Sequence, residues 1–254
     1  SRGLVDVYKR QAGDNLAIGQ QAGEVNTSGY HLTAIGHYSL QSNQSAQGNT
    51  AVGHSSLRAT TTGATNTSVG KESLCKNTTG ASNTAVGYAA LCKNTTASQN
   101  TAVGFQTLTT STTANFNTAV GMEAGKLVTT GSQNTFLGFR AGDLNTSASN
   151  NTAVGTNALG ATTTGANNTA VGHSALVDNQ TGTQNTAVGK GSLASVTTGS
   201  NNVAIGEGSG SNLTTGTNNL ALGYVAGTDA VGNLITCLLY TSDAADDLLC
   251  VDLG

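Results

Sequence analysis

The sequence predicts an all-β chain, a parallel β-solenoid of thirteen 17-residue coils, and three observations carry that prediction. Thirteen glycines, running from Gly19 through Gly87, Gly104 and Gly121 to Gly223, stand 17 residues apart with no insertion or deletion between any two. Ahead of each marker glycine lies a short alternating segment, most often Asn-Thr-Ala-Val, and alternation is the signal of a strand. Only 9% of residues are charged, and Pro and Trp are absent, so order has to come from stacked ladders of small, amide and β-branched residues. A period this strict marks one unit stacked on itself, because an inserted residue would throw every later ladder out of register.

The repeat fills residues 12–230 as one elongated domain. Residues 1–11 and 237–254 fall outside the period and resemble translated sequencing-adapter sequence, so both read as non-native ends, with 231–236 closing the native-looking chain. Between those ends stand seven Lys or Arg and eight acids. That balance leaves no electrostatic footprint for nucleic acid or an anionic membrane surface, and no segment reaches the ~20 apolar residues of a membrane span.

Within the strand, the residue before the marker glycine is always Val, Ile or Leu. Val86, Val103, Val120 and their equivalents are therefore expected to form one rung per coil, facing a core together with the Thr two positions earlier. The alternate position is nearly always Ala, as at Ala102, Ala119 and Ala153, replaced only by Ser68 and Phe136. A strand apolar on both faces is covered on both, so the alanine row is expected at the contact between chains of a homotrimer. Asn83, Asn100 and Asn117 open their strands, and an amide at that height in every coil can hydrogen-bond to its copies above and below. Gly87, Gly104 and Gly121 end the strands.

Four residues after the marker stands Leu or Gly. Where Gly replaces Leu, the apolar residue two or three places on (Val25, Leu127, Leu144 or Leu213) is expected to fill the vacated space. Ten residues after the marker comes Gly or Ala in a second turn. About three buried apolar side chains at ~2 kcal/mol each do not offset the ~25 kcal/mol of ordering 17 residues. No coil folds alone, so neighbouring coils must supply the difference.

The sequence predicts no catalytic residue, no cofactor and no metal site, and hence no enzyme. Glu72, Glu123 and Glu207 lie several coils apart, so no two acids meet as a glycosidase pair would. His37, His54 and His173 each follow a marker glycine in a row that reads as exposed and polar, with Lys71, Tyr88 and Lys190. The first two are in adjacent coils, but two imidazoles without a third ligand make a poor metal site. Cys75 and Cys92 are also one period apart. A coil spacing of ~4.8 Å permits a disulfide without requiring one, and two reduced thiols on a tolerant surface are the expectation.

The strand Asn202-Val203-Ala204-Ile205-Gly206, with its variants at 15–19 and 83–87, resembles the head repeats of trimeric autotransporter adhesins. The fuller unit, such as Asn134 to Gly142, looks more like repeats of bacteriophage tail-fibre proteins and bacterial surface proteins that end in a self-cleaving chaperone. The resemblance implies a left-handed, trimeric β-roll and an internal segment of a longer fibre on a virion or cell surface. Its partners would be its own copies and a cell-surface glycan or protein receptor. Two further readings stand beside it: an ice-binding solenoid, from rows of Thr such as Thr61 and Thr62, Thr78 and Thr79 or Thr95 and Thr96, and the scaffold part of a carbohydrate-active solenoid.

Overall fold

The structure is a computed structural model that describes residues 13–227. The two ends read as non-native, 1–11 and 237–254, lie outside the described residues, as do 231–236. The described residues fall into two compact units that part between Ser132 and Gln133. In the first, seven three-residue strands occur: β1 Leu16–Ile18, β2 Thr33–Ile35, β3 Thr50–Val52, β4 Thr67–Val69, β5 Thr84–Val86, β6 Thr101–Val103 and β7 Thr118–Val120. In the second there are six: β8 Thr135–Leu137, β9 Thr152–Val154, β10 Thr169–Val171, β11 Thr186–Val188, β12 Val203–Ile205 and β13 Leu220–Leu222. Each strand pairs in parallel with the equivalent strand one period away in its unit. The architecture is an all-β parallel solenoid with 17-residue coils, and Val86, Val103 and Val120 stack in line.

Three-residue strands are short, yet most of each coil is bonded to its neighbour. Thr84 N–H donates to Asn100 O at 2.8 Å, Leu91 to Thr107 O at 3.0 Å, Lys93 to Thr109 O at 3.0 Å and Thr95 to Thr112 O at 3.2 Å. The backbone of turns as well as strands is thus satisfied between coils, which removes the desolvation penalty of an unpaired amide.

The faces of the strand are the reverse of those expected from sequence. Ala102, Ala119 and Ala153 are wholly enclosed within the single chain, while Val120 is 40% and Ile205 46% exposed. The alanine row is therefore not an outer face, and the strand Val, Ile and Leu are not core residues. Apolar identity could not tell the sides apart; size does. An Ala here faces the residue four places after the marker, and that residue is usually a fully buried Leu, as at Leu91, Leu108 and Leu159. Across so narrow a coil, one large side chain leaves room only for a methyl group opposite. Both exceptions in the alanine row obey this geometry. Phe136 is fully buried opposite Gly142, where an added Cβ would lie 2.5 Å from Phe136 Cδ1. Ser68 is buried with its hydroxyl bonded to Ser56 Oγ at 2.8 Å and to Ser73. The Thr position likewise points outward, and Leu220 there is 37% exposed.

The alternation of Leu and Gly four residues past the marker has a backbone cause. Leu40, Leu91 and Leu193 adopt φ of 47°, 50° and 50°, and Gly125 and Gly142 take 57° and 61° at the same place. A left-handed conformation costs a non-glycine residue roughly 1–2 kcal/mol, whereas burying Leu contributes ~1.5–3 kcal/mol. The two residues are closely matched there, and the sequence uses both. In the coils of Gly125 and Gly210 the replacement for the missing Leu comes seven residues past the marker, from Val128 (fully buried) and Leu213 (5% exposed). Val25, Leu127 and Leu144, expected in that role, are 46%, 36% and 41% exposed, because they sit on positions of the turn that point to solvent.

The marker glycine has a separate requirement. Gly104 lies at φ 140°, and a Cβ on it would stand 2.5 Å from the carbonyl oxygen of Gly121 in the next coil. Coil spacing and backbone conformation both exclude a side chain.

Candidate functional site

Two internal amide ladders hold the coils in register. Asn83, Asn100 and Asn117 are buried, and each side chain serves both its own coil and the next. Asn83 Oδ1 accepts from Asn100 N–H at 3.0 Å, and Asn100 Oδ1 accepts from Asn117 N–H at 2.9 Å. Their Nδ2 groups donate to carbonyls of the turn that closes the coil: Asn83 to Ala97 O at 2.9 Å, Asn100 to Ala114 O at 2.8 Å and Asn117 to Gly131 O at 3.0 Å. Direct amide contacts join Asn100 Nδ2 to Asn83 Oδ1 at 3.2 Å. A second column, seven residues past the marker, escaped the sequence reading because Asn there alternates with Thr, Ser, Val and Leu. Asn94 Nδ2 donates to Asn77 Oδ1 at 2.7 Å, and Asn43 Nδ2 to Asn26 Oδ1 at 2.8 Å. Writing the chain in rows of 17 and reading down that column is the signal that would have found it.

The chemistry that could meet a partner lies on the outside of the sheet. There the outward Thr and the outward Val, Ile or Leu of each strand form two parallel rows in exact register with their neighbours. The aliphatic row is partly to well exposed throughout, with Val69 at 37% and Val120 at 40% in one unit and Ile205 at 46% in the other. Immediately past the marker glycine, Tyr88, Phe105, Met122 and Phe139 are also exposed. Tyr88 and Phe105 stack with ring centroids 5.3 Å apart, and Lys71 Nζ sits 5.8 Å from the Tyr88 centroid. This row is therefore not simply polar: between its His, Lys and Glu members lies an aromatic and thioether segment. Four successive aromatic or thioether residues at one-period spacing are visible in the sequence once that column is read by itself.

Not every Thr row is free to act outward. Thr61, Thr78 and Thr95 each direct the hydroxyl to a carbonyl of the next coil, at 3.2, 2.9 and 3.2 Å. Those donors are committed to the fold, while the following residues Thr62, Thr79 and Thr96 face solvent.

His37 and His54 approach to 5.3 Å between ring centroids, with Tyr38 and Arg58 packed around them. Among the described residues no three His, Cys, Asp or Glu gather where they could hold a metal ion. The sparse charges pair locally, as in Lys126–Glu123 at 2.8 Å and Lys190–Glu207 at 3.2 Å. Among the described residues, no helix is long and apolar enough to cross a membrane. No family model, curated protein or solved structure matches the chain.

Proposed function

We propose that this chain is a non-enzymatic fibre or adhesin segment, of the kind found in a phage tail fibre or bacterial surface adhesin, whose copies associate through the outer face of the sheet. The observation that carries the reading is the outward aliphatic row. Soluble chains rarely leave a continuous apolar stripe open to water, and a stripe with one Val, Ile or Leu per coil extends with the solenoid. The homotrimer inferred from the sequence is retained with a different contact: Val103, Val120 and Val188 take the place given to the alanines. In this reading the interior supplies stiffness and the rim residues supply specificity for a glycan or protein receptor. The direct test is the light-scattering mass of the folded full chain. A mass of three chains supports the reading, and a mass of one chain at every concentration refutes it.

A second reading is favoured by the outward Thr row. Thr84, Thr101 and Thr118 repeat at the coil spacing beside the Val row, and regular hydroxyl and methyl groups are the chemistry of an ice-ordering surface. Thermal hysteresis of the purified chain, absent for a fibre segment, decides between them.

A further inference from the structure

Cys75 and Cys92 occupy the same position in adjacent coils, five residues past the marker glycine. Their sulfurs are 2.7 Å apart, closer than two unbonded sulfurs ordinarily rest, and Cys75 Sγ also reaches Cys92 O at 3.4 Å. Both are half-buried free thiols. In a parallel ladder their Cα atoms lie at the coil spacing of ~4.8 Å, inside the 4.4–6.8 Å range that a disulfide spans. The two side chains are turned toward each other, as the short sulfur separation shows. Lys76 and Lys93 follow the two thiols in sequence. Cys75, Lys76, Glu72, Arg58 and His54 line an open groove of about 500 Å³ on the same surface, large enough for a peptide-sized reagent.

We propose that Cys75 and Cys92 form a thiol–disulfide exchange site that captures a small-molecule disulfide and converts it into a covalent staple between two coils. Either sulfur can donate to the other across the 2.7 Å contact, which stabilises whichever of the two becomes the thiolate. That thiolate attacks one sulfur of the external disulfide, a mixed disulfide forms, and the other half leaves as a thiolate. The second cysteine then loses its proton to solvent and attacks the protein sulfur of the mixed disulfide, expelling the second half. Two protein thiols and one external disulfide become one internal disulfide and two small thiols, so the two electrons removed from the protein are accepted by the reagent. Cationic neighbours favour an anionic disulfide of the glutathione class.

The test uses the full chain carrying C237S and C250S, which removes the other two thiols, with oxidised glutathione at neutral pH. Intact mass should fall by two hydrogen atoms without lasting adduct, and peptide mapping should join Cys75 to Cys92. Adding either C75S or C92S should trap one glutathionyl group on the cysteine that remains. Persistent glutathionylation of both cysteines, or an internal bond that forms only in the urea-unfolded chain, overturns the proposal. Circular dichroism matching the parent shows that the serine variants are folded.

Discussion

Phe136 and Gly142 should be energetically inseparable, and a double-mutant cycle measures this. Phe136 fills the interior of its coil because Gly142 opposite has no side chain. Phe136→Ala removes the only large side chain offered by that pair and leaves a cavity, at ~4 kcal/mol. Gly142→Leu alone drives a side chain into the Phe136 ring, where even a Cβ would be 2.5 Å from Cδ1. Overpacking costs ~1–3 kcal/mol, and Leu in a left-handed conformation adds ~1–2 kcal/mol, so this variant loses ~4 kcal/mol as well. The two together recreate the arrangement of Ala153 with Leu159 in the next coil, both fully buried. The double variant should then lose only ~1–2 kcal/mol, chiefly the left-handed Leu. Additivity would give ~8 kcal/mol, enough to unfold most domains, so the coupling is ~6 kcal/mol in favour of the pair. Urea unfolding of the full chain followed by far-UV circular dichroism provides the readout. If the single variants do not fold, folding of the double is itself the positive result. A double variant that loses the sum of the two single losses would show that the two side chains do not share a space, and the account of the alanine row would go with it.

Four further outcomes can be checked on the same chain. Val103→Asp with Val120→Asp should leave circular dichroism unchanged and dissociate any assembly in light scattering, whereas Ala102→Asp should unfold the coil, since an unpaired charge in a dry interior costs several kcal/mol. Gly104→Ala should destabilise by at least ~2 kcal/mol in urea titration, from strain at φ 140° and collision with the next carbonyl. Asn100→Ala withdraws the partners of Asn117 N–H and Ala114 O and should cost ~2–4 kcal/mol by the same assay. Asn145→Val should stabilise by ~1–2 kcal/mol: both amide atoms of Asn145 are buried without a hydrogen-bond partner among the described residues, and Val128 and Val196 are fully buried in the same column. A loss of stability there would mean that the amide is satisfied after all.

Period and strand position were legible because each rests on a requirement that admits one residue type. Gly87 and Gly104 face a carbonyl at a φ closed to side chains, and Asn83 and Asn100 each bridge two coils at a fixed height. The sidedness of the strand was not legible, because Val beside Ala is apolar on both faces and hydrophobicity alone carries no sign. The sign was present in volume. A position that tolerates Ala, Ser and, once, Phe opposite Gly142 is limited by an opposing wall. One that accepts Val, Ile and Leu freely is limited by β-propensity and faces outward. Thr paired with Val on the outer face also fits a strand surface shaped by cross-strand neighbours rather than by a core. The second amide column was hidden for a related reason: its interior position can be served by Asn94, Thr60 or Val128, so no single letter marks it.

Why the period never slips follows from how the coil is bent and bonded. The coil that begins at Asn83 turns at Gly87 and at three left-handed residues, Ala89, Leu91 and Gln99, with φ of 53°, 50° and 61°. Only the marker is restricted to glycine at every coil, so the other corners are held by what surrounds them. Leu91 is held by its burial and by its N–H bond to Thr107 O, and Gln99 by its N–H bond to Ala81 O. An inserted residue between Gly87 and Leu91 would move a buried side chain to the surface and turn a left-handed corner onto a residue with nothing to offset its strain. An insertion between Leu91 and Ala97 would separate Asn94 Nδ2 from the Ala97 carbonyl it meets at 3.0 Å. Either error costs several buried interactions in its own coil and in both neighbours. Register is therefore enforced three times over in each 17-residue turn, by a strained backbone, a filled interior and bridging amides. The outward Thr, Val and aromatic rows carry none of that load. Variation is widest just past the marker, where Lys71, Tyr88, Phe105 and Met122, four different residues, follow one another at one site of the coil in successive turns.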